Sequence, residues 1–136
     1  MAATPALGYE QIWVDGMNRG DVSVADQVFA PDCVIHITGF ADPIVGLDAW
    51  KMVVAGFLAA FPDVHITIDE QVSVGDTTVT RWHARGTHGG PFGPIPATGR
   101  RVSFDGLIFD HLRGGQVQER WEQFDQAVIL QQLGVQ

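Results

Sequence analysis

Basic residues are scarce in this sequence. Eight Lys and Arg stand against sixteen Asp and Glu, a formal net charge of −8. A nucleic-acid-binding domain needs a clustered basic patch, and an anionic membrane surface asks for the same, so neither partner is expected. Cysteine is scarcer still. The single Cys33 leaves no intrachain disulfide. Beside Val34 and Ile35 it reads as a small buried hydrophobe rather than a reactive thiol. No apolar run approaches the ~20 residues that cross a bilayer. The start, Met1-Ala2-Ala3-Thr4-Pro5, has neither the basic nor the apolar region of a secretory leader. Repeats, low-complexity tracts and linkers are also lacking. These absences point to a soluble cytoplasmic protein. What is present, 136 residues of which 46% are hydrophobic, suits one globular domain spanning 1–136.

Helical signals come first. Tyr9, Ile12, Trp13 and Met17 form one stripe of a helix over about 6–18, ended by Gly20. Asp21 is an N-cap for a short helix through Phe29, stopped by Pro31. Residues 33–38 read as a strand. Leu47, Trp50, Val54, Phe57 and Phe61 recur at steps of three and four, giving a helix over 47–61 that Pro62 closes. The period then changes to two. Strands over 64–74 and 77–88 flank Gly75-Asp76, and strands over 100–112 and 116–125 flank Gly114-Gly115. A Gly- and Pro-rich loop, 89–99, joins the pairs. A short amphipathic tail ends at Gly134. Helices followed by an antiparallel meander make an α+β fold.

A two-residue turn at Gly75-Asp76 sets Val72 opposite Val79, Glu70 opposite Arg81 and Ile68 opposite His83. One face then carries Val64, Ile66, Ile68, Glu70 and Val72 with Val79, Arg81, His83 and Arg85. Being the more apolar, this face is expected inward. Glu70 and Arg81 would form either a rim salt bridge, with His83 a satisfied core histidine, or a polar patch inside a cavity. On the next strand Val102, Phe104, Gly106, Ile108, Asp110 and Leu112 share a face. The last strand leaves two registers open. A two-residue Gly114-Gly115 turn puts Glu119 and Trp121 inside; a bulged turn puts Arg120, Glu122 and Phe124 there.

Two segments, GTHGGPFGPIPATGRRVSF (86–104) and GGQVQERWEQFDQAVILQQLG (114–134), resemble the SnoaL-like polyketide cyclases, or ester cyclases, of the nuclear transport factor 2-like superfamily. The resemblance implies a cone, in which a strongly curved antiparallel sheet wraps around a cavity closed by N-terminal helices. It implies ring closure by intramolecular aldol condensation, with neither metal nor organic cofactor. The family's acid/base aspartate falls on Glu122, which selects the bulged register. Its pocket histidine falls on Ile108. The resemblance also implies a homodimer through the outer sheet face, where Thr78, Thr80 and Trp82 are expected. In the related limonene-epoxide-hydrolase-like branch, an Asp-Arg-Asp set falls on His83, Arg81 and Glu122.

The expected catalytic residues are therefore Glu122, His83 and Arg81. Burial would raise the Glu122 carboxyl toward neutrality, His83 would be a second proton-handling group, and Arg81 would hold an enolate oxygen. The expected substrate-binding residues are Tyr9, Trp13, His36, Trp50, Phe104, Ile108 and Asp110, with Phe57 as wall or core. Phe92 and Ile95 would form a lip, His88 would organise the 89–99 loop, and His65 and His111 would face outward. No metal spacing, phosphate loop or serine nucleophile motif is present. Three functions follow: a cofactor-free cyclase or isomerase of a small hydrophobic polyketide-like or carbonyl substrate, an epoxide-opening hydrolase or cyclase, or a non-catalytic small-ligand binder.

Overall fold

The computed structural model describes residues 3–134, and side chains from residue 8; Met1 and Ala2, part of the segment read for a leader, lie outside the described residues. Helix α1 (Ala3–Asn18) leads through a 3-10 turn (Val22–Val24) to the single turn α2 (Ala25–Val28). Then come β1 (Phe29–Ile37), β2 (Ile44–Val45), α3 (Leu47–Ala60), β3 (His65–Val74), β4 (Thr77–Thr87), β5 (Arg101–Arg113), β6 (Gln116–Phe124) and α4 (Gln126–Gln132). The six strands form one curved, unclosed sheet in the order β2-β1-β6-β5-β4-β3. All neighbours are antiparallel except β1 and β6, which run parallel.

Local chemistry explains the boundaries. Asp21 accepts from the Ser23 backbone N–H, as an N-cap should. The helix it opens is shorter than expected, because the chain is already a strand at Phe29. Pro31 lies inside β1, at the register irregularity between Phe29 and Val34, where its missing N–H breaks no ladder bond. Asp125 caps α4 through the Ala127 N–H. The Gln132 amide then pins α4 to β5, donating to the Ser103 carbonyl at 2.7 Å and accepting from its N–H at 2.6 Å.

Two apolar clusters fill the concave side. Trp13, Phe29 and Trp50 interlock under α1 and α3, with ring centroids 4.9–6.1 Å apart. Phe61, Trp82, Phe104 and Ile108 form the second cluster toward α4. Gly106 permits the Trp82 indole to lie on β5: a Cβ there would sit 2.5 Å from a ring carbon of Trp82. No described helix is long and apolar enough to cross a membrane.

Two bulges decide which side chains face in. In β3 the register shifts between Ile68 and Glu70, so Ile68 pairs with Trp82 while Glu70 pairs with Arg81. Val64, Ile66 and Ile68 face inward beside Trp82 and Ala84, but beyond the bulge Glu70 and Val72 face outward with Arg81 and Val79. The expected inward face of β4 is therefore the outer one. Thr78, Thr80 and Trp82, expected outside, are buried. In β6 the Gly114-Gly115 turn is a two-residue one, both glycines taking positive φ (61° and 81°). Leu112 still pairs with Val117, but His111 pairs with Glu119, leaving Gln118 as the extra residue. From there Arg120 and Glu122 point inward and Glu119 and Trp121 outward. Both open readings of this hairpin held a part of the answer: the tight turn and the bulge coexist, two residues apart.

Candidate active site

The cone encloses a cavity of about 320 Å³. Trp13 from α1, Trp50 and Phe57 from α3, and Phe104 and Ile108 from β5 give it an apolar wall. Phe92 comes from the 89–99 loop, held by a bridge to Ile95. That loop is anchored by His88, whose Nδ1 accepts from the Thr98 N–H at 3.1 Å. Two carboxyls line the cavity: Glu122 of β6 and Glu10 of α1.

Behind them lies a buried charged cluster. The Arg120 guanidinium has no exposed side-chain surface and sits 4.9 Å over the Phe29 ring. Its Nε donates to Asp110 Oδ1 at 2.8 Å and its Nη2 to Asp110 Oδ2 at 2.9 Å, a bidentate pair. Nη2 also donates to Glu10 Oε1, and the Tyr9 hydroxyl donates to Asp110 Oδ2. Nη1 has no hydrogen-bond partner and lies 3.5 Å from Glu122 Oε1. One guanidinium thus faces three carboxyls. Burial pushes Glu10 up to about 7 against the pull of Arg120, and it raises Glu122 against the same opposition. Burial, then the neighbouring Asp110, also raises the Tyr9 phenol. Burial alone would lower the Arg120 guanidinium; Asp110 and Glu10 hold it well above its ordinary value.

Of the residues expected from sequence, Glu122, Trp13, Trp50, Phe104 and Ile108 come together at the cavity. Tyr9 and Asp110 lie in the cluster behind it rather than in its wall. Arg81 and His83 do not belong to the site. The β3 bulge turns them to the outer face, where His83 bonds Asp69 at 2.8 Å and Arg81 meets Glu70 at 3.3 Å. The Arg81 side chain is 54% exposed and that of His83 48%. His36 is likewise outside the cavity: it stacks on Trp121 and bonds Glu119 at 2.7 Å, because alternate residues of β1 and β6 face away from the core. His65 and His111 face outward as expected.

Glu10 is the cavity residue that sequence reasoning missed, and Arg120, placed inside only by the bulged register, was given no role. For Glu10 a signal existed. Glu10, Trp13, Val14 and Met17 fall at i, i+3, i+4 and i+7 and all line the cavity, whereas Ile12, placed on the stripe, is 45% exposed. An acid aligned with an apolar helical stripe is a buried acid that requires a partner.

A family model for the SnoaL-like polyketide cyclases matches residues 6–133. The chain belongs to that family. Among solved structures similar to this SnoaL-like protein is IdmH of Streptomyces antibioticus, assigned as a polyketide cyclase. It is 33% identical, with 96% of this chain and 99% of that chain covered and a TM-score of 0.82. A SnoaL-like polyketide cyclase from Jannaschia sp. CCS1 superposes at a TM-score of 0.90, with 18% identity over 98% of this chain and 94% of that one. An epoxide hydrolase of M. tuberculosis, of the limonene-epoxide-hydrolase-like kind, reaches 0.75 at 16% identity, over 96% and 90%. At these last two identities the likeness is one of fold. No curated protein sequence matches this SnoaL-like chain.

Proposed function

We propose that this SnoaL-like protein closes a ring in a small hydrophobic, polyketide-like carbonyl substrate, with Glu122 moving the proton. The observation that carries this reading is Glu122 itself. It is a carboxyl opening on an apolar cavity, raised by burial and 3.5 Å from a guanidinium nitrogen that no other group occupies. A carboxyl raised toward neutrality is a competent base for a carbon acid adjacent to a carbonyl. The Arg120 Nη1 supplies the nearby positive charge that an enolate oxygen requires. This places on Arg120 the role expected of Arg81. The apolar wall orients the chain of the substrate and excludes water.

The test is Glu122→Gln, assayed with an aromatic polyketide bearing a β-dicarbonyl side chain. The variant should keep the fold, read by circular dichroism and melting, and lose turnover by a factor of about 100 or more. Undiminished turnover would remove Glu122 from the chemistry. One observation favours a second reading, epoxide opening: Arg120 lies between Asp110 and Glu122, carboxyls on either side of a guanidinium. Turnover of an epoxide with solvent oxygen-18 entering the product would select hydrolysis over cyclisation.

We also propose a homodimer through the outer sheet face. Leu107 and Phe109 of β5 are exposed there beside the half-buried Trp121 of β6, whose ring centroid lies 5.8 Å from that of Phe109.

A further inference from the structure

We propose that Glu10 and Glu122 work as one acid/base pair across the Arg120 guanidinium, one carboxyl taking a proton from the cavity's ligand while the other returns one. The inference rests on the reading of the cavity as the reaction site.

The geometry begins with reach. The two carboxyls come from opposite ends of the chain, α1 and β6, yet both line the same cavity and both face Arg120. Charge counting follows. Arg120 offers one positive charge to Glu10, Asp110 and Glu122. Among the described residues no second cation enters the cluster. Lys51, on α3, is bonded to Asp26 at 2.9 Å, and Arg81 and Arg85 lie on the outer face of β4. From α1, Tyr9 adds only a hydroxyl, and it is spent on Asp110. Three ionised carboxylates around one guanidinium would leave two uncompensated charges out of water, which is prohibitive.

The proton has few places to reside. Asp110 accepts from Tyr9 and twice from Arg120, so both of its oxygens already face donors. Glu10 accepts one hydrogen bond, and Glu122 only faces Nη1 at 3.5 Å. The proton therefore belongs to Glu10 and Glu122 together, and burial favours its residence on both. Glu10, 2% exposed against 16% for the Glu122 side chain, is the deeper of the two and the better acid store.

The steps balance without another reactant. Glu122 carboxylate takes the proton from a carbon adjacent to a carbonyl, and the C–H electron pair becomes the enolate. The enolate carbon bonds to a second carbonyl carbon, whose π pair passes to its oxygen. Glu10 gives its proton to that oxygen. The pair ends as it began, holding one proton, now on Glu122, so the buried charge is constant throughout. Transfer back to Glu10 resets the site.

Carboxyl carbon-13 NMR of glutamate-labelled protein tests the pair without any substrate. In the wild type the two resonances should move together, and one proton should be retained until near-neutral pH. Glu122→Gln should lower the midpoint of Glu10, and Glu10→Gln that of Glu122, each by about one pH unit. Independent titrations, or two carboxyls fully ionised below about pH 5, overturn the proposal; the latter result needs only the wild-type protein. α-Proton exchange of benzoylacetone in deuterium oxide then reads the chemistry. Glu122→Gln should abolish exchange. Glu10→Gln should flatten the alkaline side of the exchange pH profile, and an unchanged profile overturns the pair. Coupled titration with no polyketide turnover would refute the cyclase reading alone.

Discussion

Replacing Glu10 by Gln should make this protein more stable in mild alkali and should reduce its stability loss between acid and neutral pH. The Glu10 carboxyl ordinarily titrates at 4.5 and is pushed up to about 7 by burial. Below the lower value folded and unfolded chains both hold the proton, and the full benefit of a neutral buried group is present. Between the two values the folded chain keeps a proton that the unfolded chain has released, so stability falls as pH rises. Above about 7 the folded state carries a buried carboxylate. A gap of this size corresponds to about 3 kcal/mol. Glu122, also raised, contributes with the same sign. Asp21 and Asp63 are lowered by hydrogen bonds from Ser23 and Thr87. What they contribute is lost only as pH falls through the acid range, outside this window. Gln keeps the shape and still accepts from Arg120 Nη2, but it cannot ionise. Urea unfolding from about pH 5 to about pH 8 should show a declining wild-type curve and a flatter Glu10→Gln curve, the two diverging by a few kcal/mol at the alkaline end. Parallel curves would refute the claim that Glu10 is buried and protonated near neutrality.

Arg81→Ala with His83→Ala should leave polyketide turnover within a factor of about two, and stability within about 0.5 kcal/mol per site, since both side chains lie outside the cavity; a large loss of turnover would show that the outer face reaches the chemistry. Sedimentation should give twice the chain mass of 14.8 kDa, and Phe109→Glu should reduce it to one chain; a wild-type monomer would refute the sheet-face dimer.

The order and type of most elements were legible because each signal is local. The Trp50-Val54-Phe57 stripe of α3, the Gly75-Asp76 and Gly114-Gly115 turns, and the Asp21 cap each need only a few neighbouring residues. Inward-facing residues were harder to read, since side-chain direction along a strand reverses wherever one extra residue enters. The β3 irregularity between Ile68 and Glu70 leaves no mark in composition, and it carried Arg81 and His83 from the expected inside to the outside. At Gln118 the same kind of insertion brought Glu122 inward, where the resemblance to the SnoaL-like family had put it. The parallel pairing of β1 with β6 was illegible for a related reason: strands far apart in sequence carry no turn that announces their direction. Glu10 was overlooked because the helix was read by its apolar residues alone.

The hydrogen bonds from Tyr9 to Asp110 and from Arg120 to Glu10 span 101 and 110 residues of chain. On a ribosome the first helix emerges long before the strand that neutralises its acid, so Glu10 must spend that interval in water. Contacts of such long range form late and slowly. The charged side of the cavity is therefore among the last parts of the molecule to exist, and a nascent chain lacking β6 carries a hydrophobic helix without the guanidinium that permits its acid to be buried.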